Sequence, residues 1–195
     1  MPRRGASKSP VSAAPRKIIA WLATSADGFI ARPDGAVDWL DRRRPKGNYG
    51  MGDFYRSIDT ILMGRKTYDF AVEYQKSGKA KSVFDPKVKN YLFSRTVAAA
   101  DVLPPVELVS KPVKRFAQEL RAKPGKNIWM MGGGGIIAAF LDEGQIDEFI
   151  IFVIPVFIGQ GIPLIAPRHR TVPLKLLSSK AFPDGVVQLH YAVKS

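Results

Sequence analysis

Several apolar runs in this chain are continuous rather than alternating. They fall at 16–24, 60–63, 90–93, 127–131 and 149–154, with a shorter one at 107–109, and unbroken runs of this length suit strands buried on both faces. Between them the spacing becomes helical. Phe54 and Ile58 share a face in a short helix expected over 53–58. Val113, Phe116, Ala117 and Leu120 do so behind Pro112, which the first turn of a helix tolerates, and Ile136, Ile137, Phe140 and Leu141 do so after a glycine run. At the end, two β-prone stretches, 174–182 and 186–193, flank Pro183-Asp184-Gly185, the signature of an antiparallel hairpin. Alternating strands and helices followed by strands alone predict one α/β domain with a mixed sheet, helices on both faces and an antiparallel C-terminal edge.

Two junctions interrupt the pattern where chemistry is expected. In the first, Asn127-Ile128-Trp129-Met130-Met131 runs into Gly132-Gly133-Gly134-Gly135 and then into the helical spacing from Ile136. Glycines there let backbone approach backbone or a ligand, and the opening amides of a helix, unpaired within it, favour a phosphate. A tight turn that binds nothing is the alternative. No Gly-Lys-Ser/Thr follows, and Ile137 stands where G-x-G-x-x-G needs its third glycine, so neither a P-loop nor an ordinary dinucleotide fingerprint is present. In the second junction, Thr60-Ile61-Leu62-Met63 leads through Gly64 to Arg65, Lys66 and Thr67 at a helix start, a second candidate anion site. Strand-end Ser94, Arg95 and Thr96 supply further donors, and a guanidinium there would pair with the 2′-phosphate that separates NADPH from NADH.

Other polar positions are more ambiguous. Asp27, in Ser25-Ala26-Asp27-Gly28, either terminates a strand or places a carboxylate where open α/β sheets bind ligands. Arg42, Arg43 and Arg44 lie in a glycine-punctuated loop that is either a solvated charge run or a clamp for a phosphorylated substrate. The segment 155–164 is irregular and hinged by Gly159 and Gly161.

Composition narrows the function classes. With 195 residues and 46% hydrophobic content the chain can bury one sizeable core, and with no cysteine it has no disulfide, thiolate metal site or cysteine nucleophile. Only two histidines are present, which argues against a histidine-rich metal site; no metal is expected. The net charge of +13 suits nucleic acid, an acidic membrane or small phosphorylated ligands. Residues 1–14 are basic, acid-free and rich in Pro, Ser and Ala, and are expected to be a disordered tail, with the folded domain spanning 15–195. The tail has no apolar core of a secretory signal and no later run reaches membrane-spanning length, so a soluble cytoplasmic protein is expected.

Taken in order, Ser25-Ala26-Asp27-Gly28, Trp39, Ile61-Leu62-Met63-Gly64-Arg65-Lys66-Thr67-Tyr68, Ser94-Arg95-Thr96, the four glycines, Asp147-Glu148 and the Pro155, Gly159, Gly161 spacing resemble the dihydrofolate reductase superfamily. The chain is most similar to the reductase domain of bifunctional riboflavin-biosynthesis deaminase-reductases, from about Lys17 onward. The resemblance implies a dihydrofolate-reductase-like, mostly parallel sheet, a homodimer, and NADPH lying across the strand ends. In that arrangement Met131, Gly132, Gly133, Gly134, Gly135 and Ile136 would meet nicotinamide and pyrophosphate. Gly64, Arg65, Lys66 and Thr67 would meet the phosphates, Ser94, Arg95 and Thr96 the 2′-phosphate, and Thr24 and Trp39 the nicotinamide side.

One departure separates the chain from authentic dihydrofolate reductases. Their substrate-binding acid would fall at 48–50, where no carboxylate stands, and Asp53 is the nearest acid. The expected function is hydride transfer from NADPH to a pterin-like heterocycle or a ribosylamino-pyrimidine, with Asp27, then Asp53, as candidate proton donors and Arg42, Arg43 and Arg44 binding the substrate. Authentic dihydrofolate reduction is the alternative. A basic nucleic-acid-binding protein and a catalytically inactive nucleotide-binding protein are the rivals from other classes, and the absence of a recognised nucleic-acid motif argues against the first.

Overall fold

The computed structural model describes residues 15–78 and 80–194; the expected tail over 1–14 lies outside them. Chain order is β1 (Ile18–Ser25), β2 (Phe29–Ala31), α1 (Met51–Arg56), β3 (Ile58–Gly64), α2 (Arg65–Lys76), β4 (Lys89–Phe93), β5 (Val106–Val109), α3 (Val113–Arg121), β6 (Asn127–Gly132), α4 (Gly134–Asp142), β7 (Glu148–Ile154), β8 (Ile162–Pro163), β9 (Leu174–Ala181) and β10 (Val187–Val193). Eight of the strands form one sheet in the order β5-β4-β3-β6-β1-β7-β10-β9. Every pairing from β5 to β7 is parallel, and β10 and β9 close the edge antiparallel, as the sequence pattern predicts.

The continuous apolar runs are explained by helices on both faces. Ile18, Ala20, Ile128 and Met130 pack with Ala117 and Leu120 of α3 and Ile137, Phe140 and Leu141 of α4. The alternate residues Ile19, Ile61, Met63 and Trp129 pack with Phe54 of α1 and Tyr68 of α2 on the other side. Helix α1 begins and ends earlier than its sequence spacing suggests, because Ile58 opens β3 instead of closing the helix.

Two features have no counterpart in the sequence reading. β2 and β8 pair antiparallel in a separate small sheet, which fastens the irregular 155–166 stretch across the end of β1. The outer strand β9 is exposed along its whole length, including Leu174, Leu176 and Leu177. No helix among the described residues is long and apolar enough to cross a membrane.

Candidate active site

The carboxyl ends of β1, β3, β4, β6 and β7 form a rim, the usual location of ligands on an open α/β sheet. Its β3-β4-β6 half is built from glycines and cations. The Gly132–Gly133 peptide is cis and Gly132 has a φ of 118°, a backbone that favours glycine. A Cβ at Gly133 would stand 3.6 Å from Ile30 Cδ1 and 3.7 Å from Thr67 Oγ1, while one at Gly64 would stand 3.3 Å from Ile136 Cγ2. The two strand-glycine-helix junctions are therefore neighbours. Neither α2 nor α4 has a side-chain cap at its N-terminus, so their opening amides face the rim without a protein acceptor from that source.

The third station adjoins the second. Arg65 and Thr96 line one cleft of about 530 Å³, together with Tyr68, Asp69, Val97 and Leu103. Arg65 Nε sits 2.7 Å from both carboxylate oxygens of Asp69. Ser94 Oγ accepts from the amides of Thr96 and Val97, each at 3.2 Å, which fixes the turn that carries Arg95. Lys66 and Arg95 are exposed and have no ion-pair partner among the described residues.

The four glycines have different reasons to be glycine. A Cβ on Gly134 would lie 2.5 Å from the Pro163 carbonyl oxygen and 3.3 Å from that of Leu164, so the 163–166 backbone requires it; Ala166 N also donates to Gly134 O at 3.1 Å. A Cβ on Gly135 would meet nothing within 4 Å.

The β1-β7 half is aromatic. Trp21 lies 5.4 Å from Phe54, stacked, and 4.5 Å from Phe152, while Tyr49 lies 5.7 Å from Phe152 and edge-on to Phe182 at 5.0 Å. Trp39 and Leu40 pack on the same group, around Phe152, Ile154 and Val186. The indole Nε1 of Trp39 is buried with no hydrogen-bond partner among the described residues.

Several candidates occupy places that change their reading. Asp27 accepts from the Gly159 amide at 2.7 Å and the Ile158 amide at 3.2 Å. The Ser25 hydroxyl first, then those two amides, hold its carboxyl below the ordinary carboxylate range against the opposing effect of burial. These bonds make Asp27 a latch on the 158–159 segment. Asp53 is solvent-facing and paired with Arg56. Thr24 is buried and lies, by alternation from Ala20 and Leu22, on the α3-α4 face, across the sheet from Trp39.

In the arginine loop, Arg42 Nη2 donates to the Asp184 carbonyl at 2.6 Å and lies 3.5 Å from its carboxylate. Arg44 reaches Asn48 Oδ1 at 3.4 Å, and Arg43 is exposed. Asp184 was visible in the sequence only as a turn residue; nothing local signalled a partner so distant along the chain.

The family model described as the RibD C-terminal domain matches residues 16–188. The uncharacterized protein YwjB of Bacillus subtilis (strain 168) is 36% identical over 180 residues, covering 90% of this chain and 97% of its own. A solved structure from Shewanella sp. PV-4, of a protein assigned to riboflavin biosynthesis, superposes with a TM-score of 0.78 at 27% identity, covering 92% of this chain and 99% of that one. A diaminohydroxyphosphoribosylaminopyrimidine deaminase/5-amino-6-(5-phosphoribosylamino)uracil reductase from Thermotoga maritima shares the fold, with a TM-score of 0.68 at 16% identity over 92% of this chain and 57% of that one.

Proposed function

We propose that this chain, which belongs to the RibD C-terminal domain family, is an NADPH-dependent reductase of a heterocyclic or ribosylamino-pyrimidine-like small molecule. The observation that carries the reading is the contiguity of the three strand-end stations, Gly64–Thr67, Ser94–Thr96 and Gly132–Ile136, around uncapped helix starts. The residues fit the cofactor. Lys66 and Arg95 are cations with no ion-pair partner among the described residues and suit its phosphates, and Gly135 leaves open space beside a helix N-terminus.

When bound, the cofactor supplies the hydride, and the protein's task is to hold it and present the acceptor. Arg95, aided by Ser94 and Thr96, takes the 2′-phosphate. The amides of α2 and α4 take the diphosphate. Trp39, Trp21 and Tyr49, each only partly buried, flank a planar acceptor. The proton that follows the hydride is drawn from solvent.

Titration of the protein with NADPH, following cofactor or tryptophan fluorescence, tests the reading. Saturable binding followed by NADPH oxidation with one of a panel of pyrimidine and pterin acceptors is the expected result; folded protein that binds no NADPH would refute it. The exposed leucines of β9 support a second element of the proposal, a homodimer formed through the hairpin edge. Sedimentation as a monomer at tens of micromolar would remove that element. The absence of cysteine accords with a cytoplasmic setting.

A further inference from the structure

Four successive residues in the loop beside the aromatic half have left-handed backbone: Gly47 (φ 84°), Asn48 (45°), Tyr49 (57°) and Gly50 (86°). Glycine adopts this region freely, but Asn48 and above all Tyr49 do so against the steric preference of their Cβ atoms. Such backbone persists where surrounding contacts over-determine it.

Those contacts converge on one residue of the β9–β10 turn. Tyr49 Oη donates to Asp184 Oδ2 at 2.5 Å, and its ring is held against Phe152 and Phe182. At the other end of the loop, Arg42 donates to the Asp184 carbonyl at 2.6 Å and faces its carboxylate at 3.5 Å. Asp184 thus ties down both ends of the segment that carries Arg43 and Arg44 and that follows Trp39. The turn is itself anchored, since its Val186 is fully buried, and a Cβ on Gly185 would already lie 3.3 Å from Pro155 Cγ. The mechanism proposed above uses none of these bonds directly.

We propose that Asp184 is a positioning residue: by clamping Arg42 and Tyr49 it keeps the 42–49 loop closed on the aromatic half of the rim and so fixes the acceptor side, without touching the cofactor. Its meaning for catalysis rests on the reductase reading; the clamp itself does not.

The test uses the full chain with saturating NADPH, comparing wild type with Asp184→Asn and Tyr49→Phe. Trypsin cleavage after Arg42, Arg43 or Lys46, mapped by mass spectrometry, reports loop opening, because proteolysis tracks the population of the open form; Pro45 protects the bond after Arg44. Loss of one charge-assisted hydrogen bond should speed it about ten-fold or more. NADPH affinity should stay within about two-fold, since no cofactor contact is altered. With 5-amino-6-(5-phosphoribosylamino)uracil as probe acceptor, KM should rise about ten-fold with kcat changed less than about three-fold, the mark of lost acceptor binding.

Cleavage no faster than wild type in both variants overturns the clamp. Faster cleavage with an equal loss of NADPH binding overturns the claim that it serves the acceptor side, as does an effect confined to kcat. If wild type itself fails to bind NADPH, the reductase reading falls while the cleavage comparison still decides the clamp.

Discussion

The two halves of the rim are assembled in different ways. In the β3-β4-β6 half, each station is one short stretch of chain: strand, glycine and helix follow one another at Gly64 to Thr67 and Gly132 to Ile136, and strand and turn at Ser94 to Thr96. In the β1-β7 half, the parts come from opposite ends of the chain. Asp27 holds the Ile158 and Gly159 amides, and Asp184 holds Arg42 and Tyr49. A site made of local motifs keeps its chemistry in the backbone, where helix amides and glycine space are set by secondary structure. A site made of distant side chains depends on tertiary packing, and its binding and its stability are harder to separate.

The largest effect should come from the one place where the local half is also held by tertiary contact. Gly134→Val puts a branched side chain where even a Cβ would lie 2.5 Å from a backbone oxygen, and neither β8 nor the following strap has room to retreat without losing its pairing. Overpacking of this kind costs about 1–3 kcal/mol, and more when backbone must move. Urea denaturation should show a clear drop in midpoint; an unchanged midpoint would mean that the 163–166 segment yields and that the comparison of the two halves is overdrawn.

This contrast also sets what was legible in the sequence. The junctions at Gly64 and Gly132 could be read because an apolar run, a glycine and a helical repeat fall within one window, and the hairpin because Pro183-Asp184-Gly185 separates two β-prone runs. The pairing of β2 with β8 could not, since strands of three and two residues carry no periodicity. Asp27 and Asp184 were visible as acids in turns, but the amides, phenol and guanidinium they engage are chosen by the assembled fold. Gly134 shows the same limit inside the most legible motif, because its reason for being glycine is the Pro163 carbonyl.

Next in size is Arg95→Ala. Its guanidinium is exposed and unpaired among the described residues, so removing it should leave the fold intact. If it takes the 2′-phosphate, NADPH should weaken by about 1.5–3 kcal/mol, roughly ten- to a hundred-fold, with NADH nearly unaffected. Equal losses for the two nucleotides, measured by fluorescence titration, would remove it from the 2′-phosphate site.

A change at the opposite end of the sheet supplies the control. Glu148, buried at the start of β7, accepts from Lys17 Nζ at 2.5 Å and lies 2.9 Å from His190 Nε2. Burial pushes its carboxyl up, but the hydrogen bonds from Lys17 and His190 outweigh it and the net displacement is downward. A depressed folded-state value means that the stabilisation is fully present above the unfolded value of about 4.3 and is lost as pH falls through the lower, folded one. Glu148→Gln should therefore cost about 1–3 kcal/mol at neutral pH, and the deficit should shrink on acidification. NADPH affinity should not change. A deficit independent of pH would show that packing, not charge, is what Glu148 contributes.

The smallest effect on the fold, and the sharpest on the comparison, belongs to Gly135→Ala. The new methyl meets no protein atom within 4 Å, and alanine in the first turn of α4 is a better helix former than glycine. Stability should be unchanged or slightly raised. If the nucleotide's diphosphate rests on this helix start, the methyl occupies its space, and NADPH and NADH should weaken alike by about ten-fold, or 1.4 kcal/mol. That equal loss is the counterpart of the unequal one expected at Arg95, since the diphosphate is common to both nucleotides and the 2′-phosphate is not. Unchanged affinity for both would instead leave the glycine run a packing device, required by the strap at Gly134 and by the φ of Gly132, with the cofactor held by α2 and the Ser94–Thr96 turn alone.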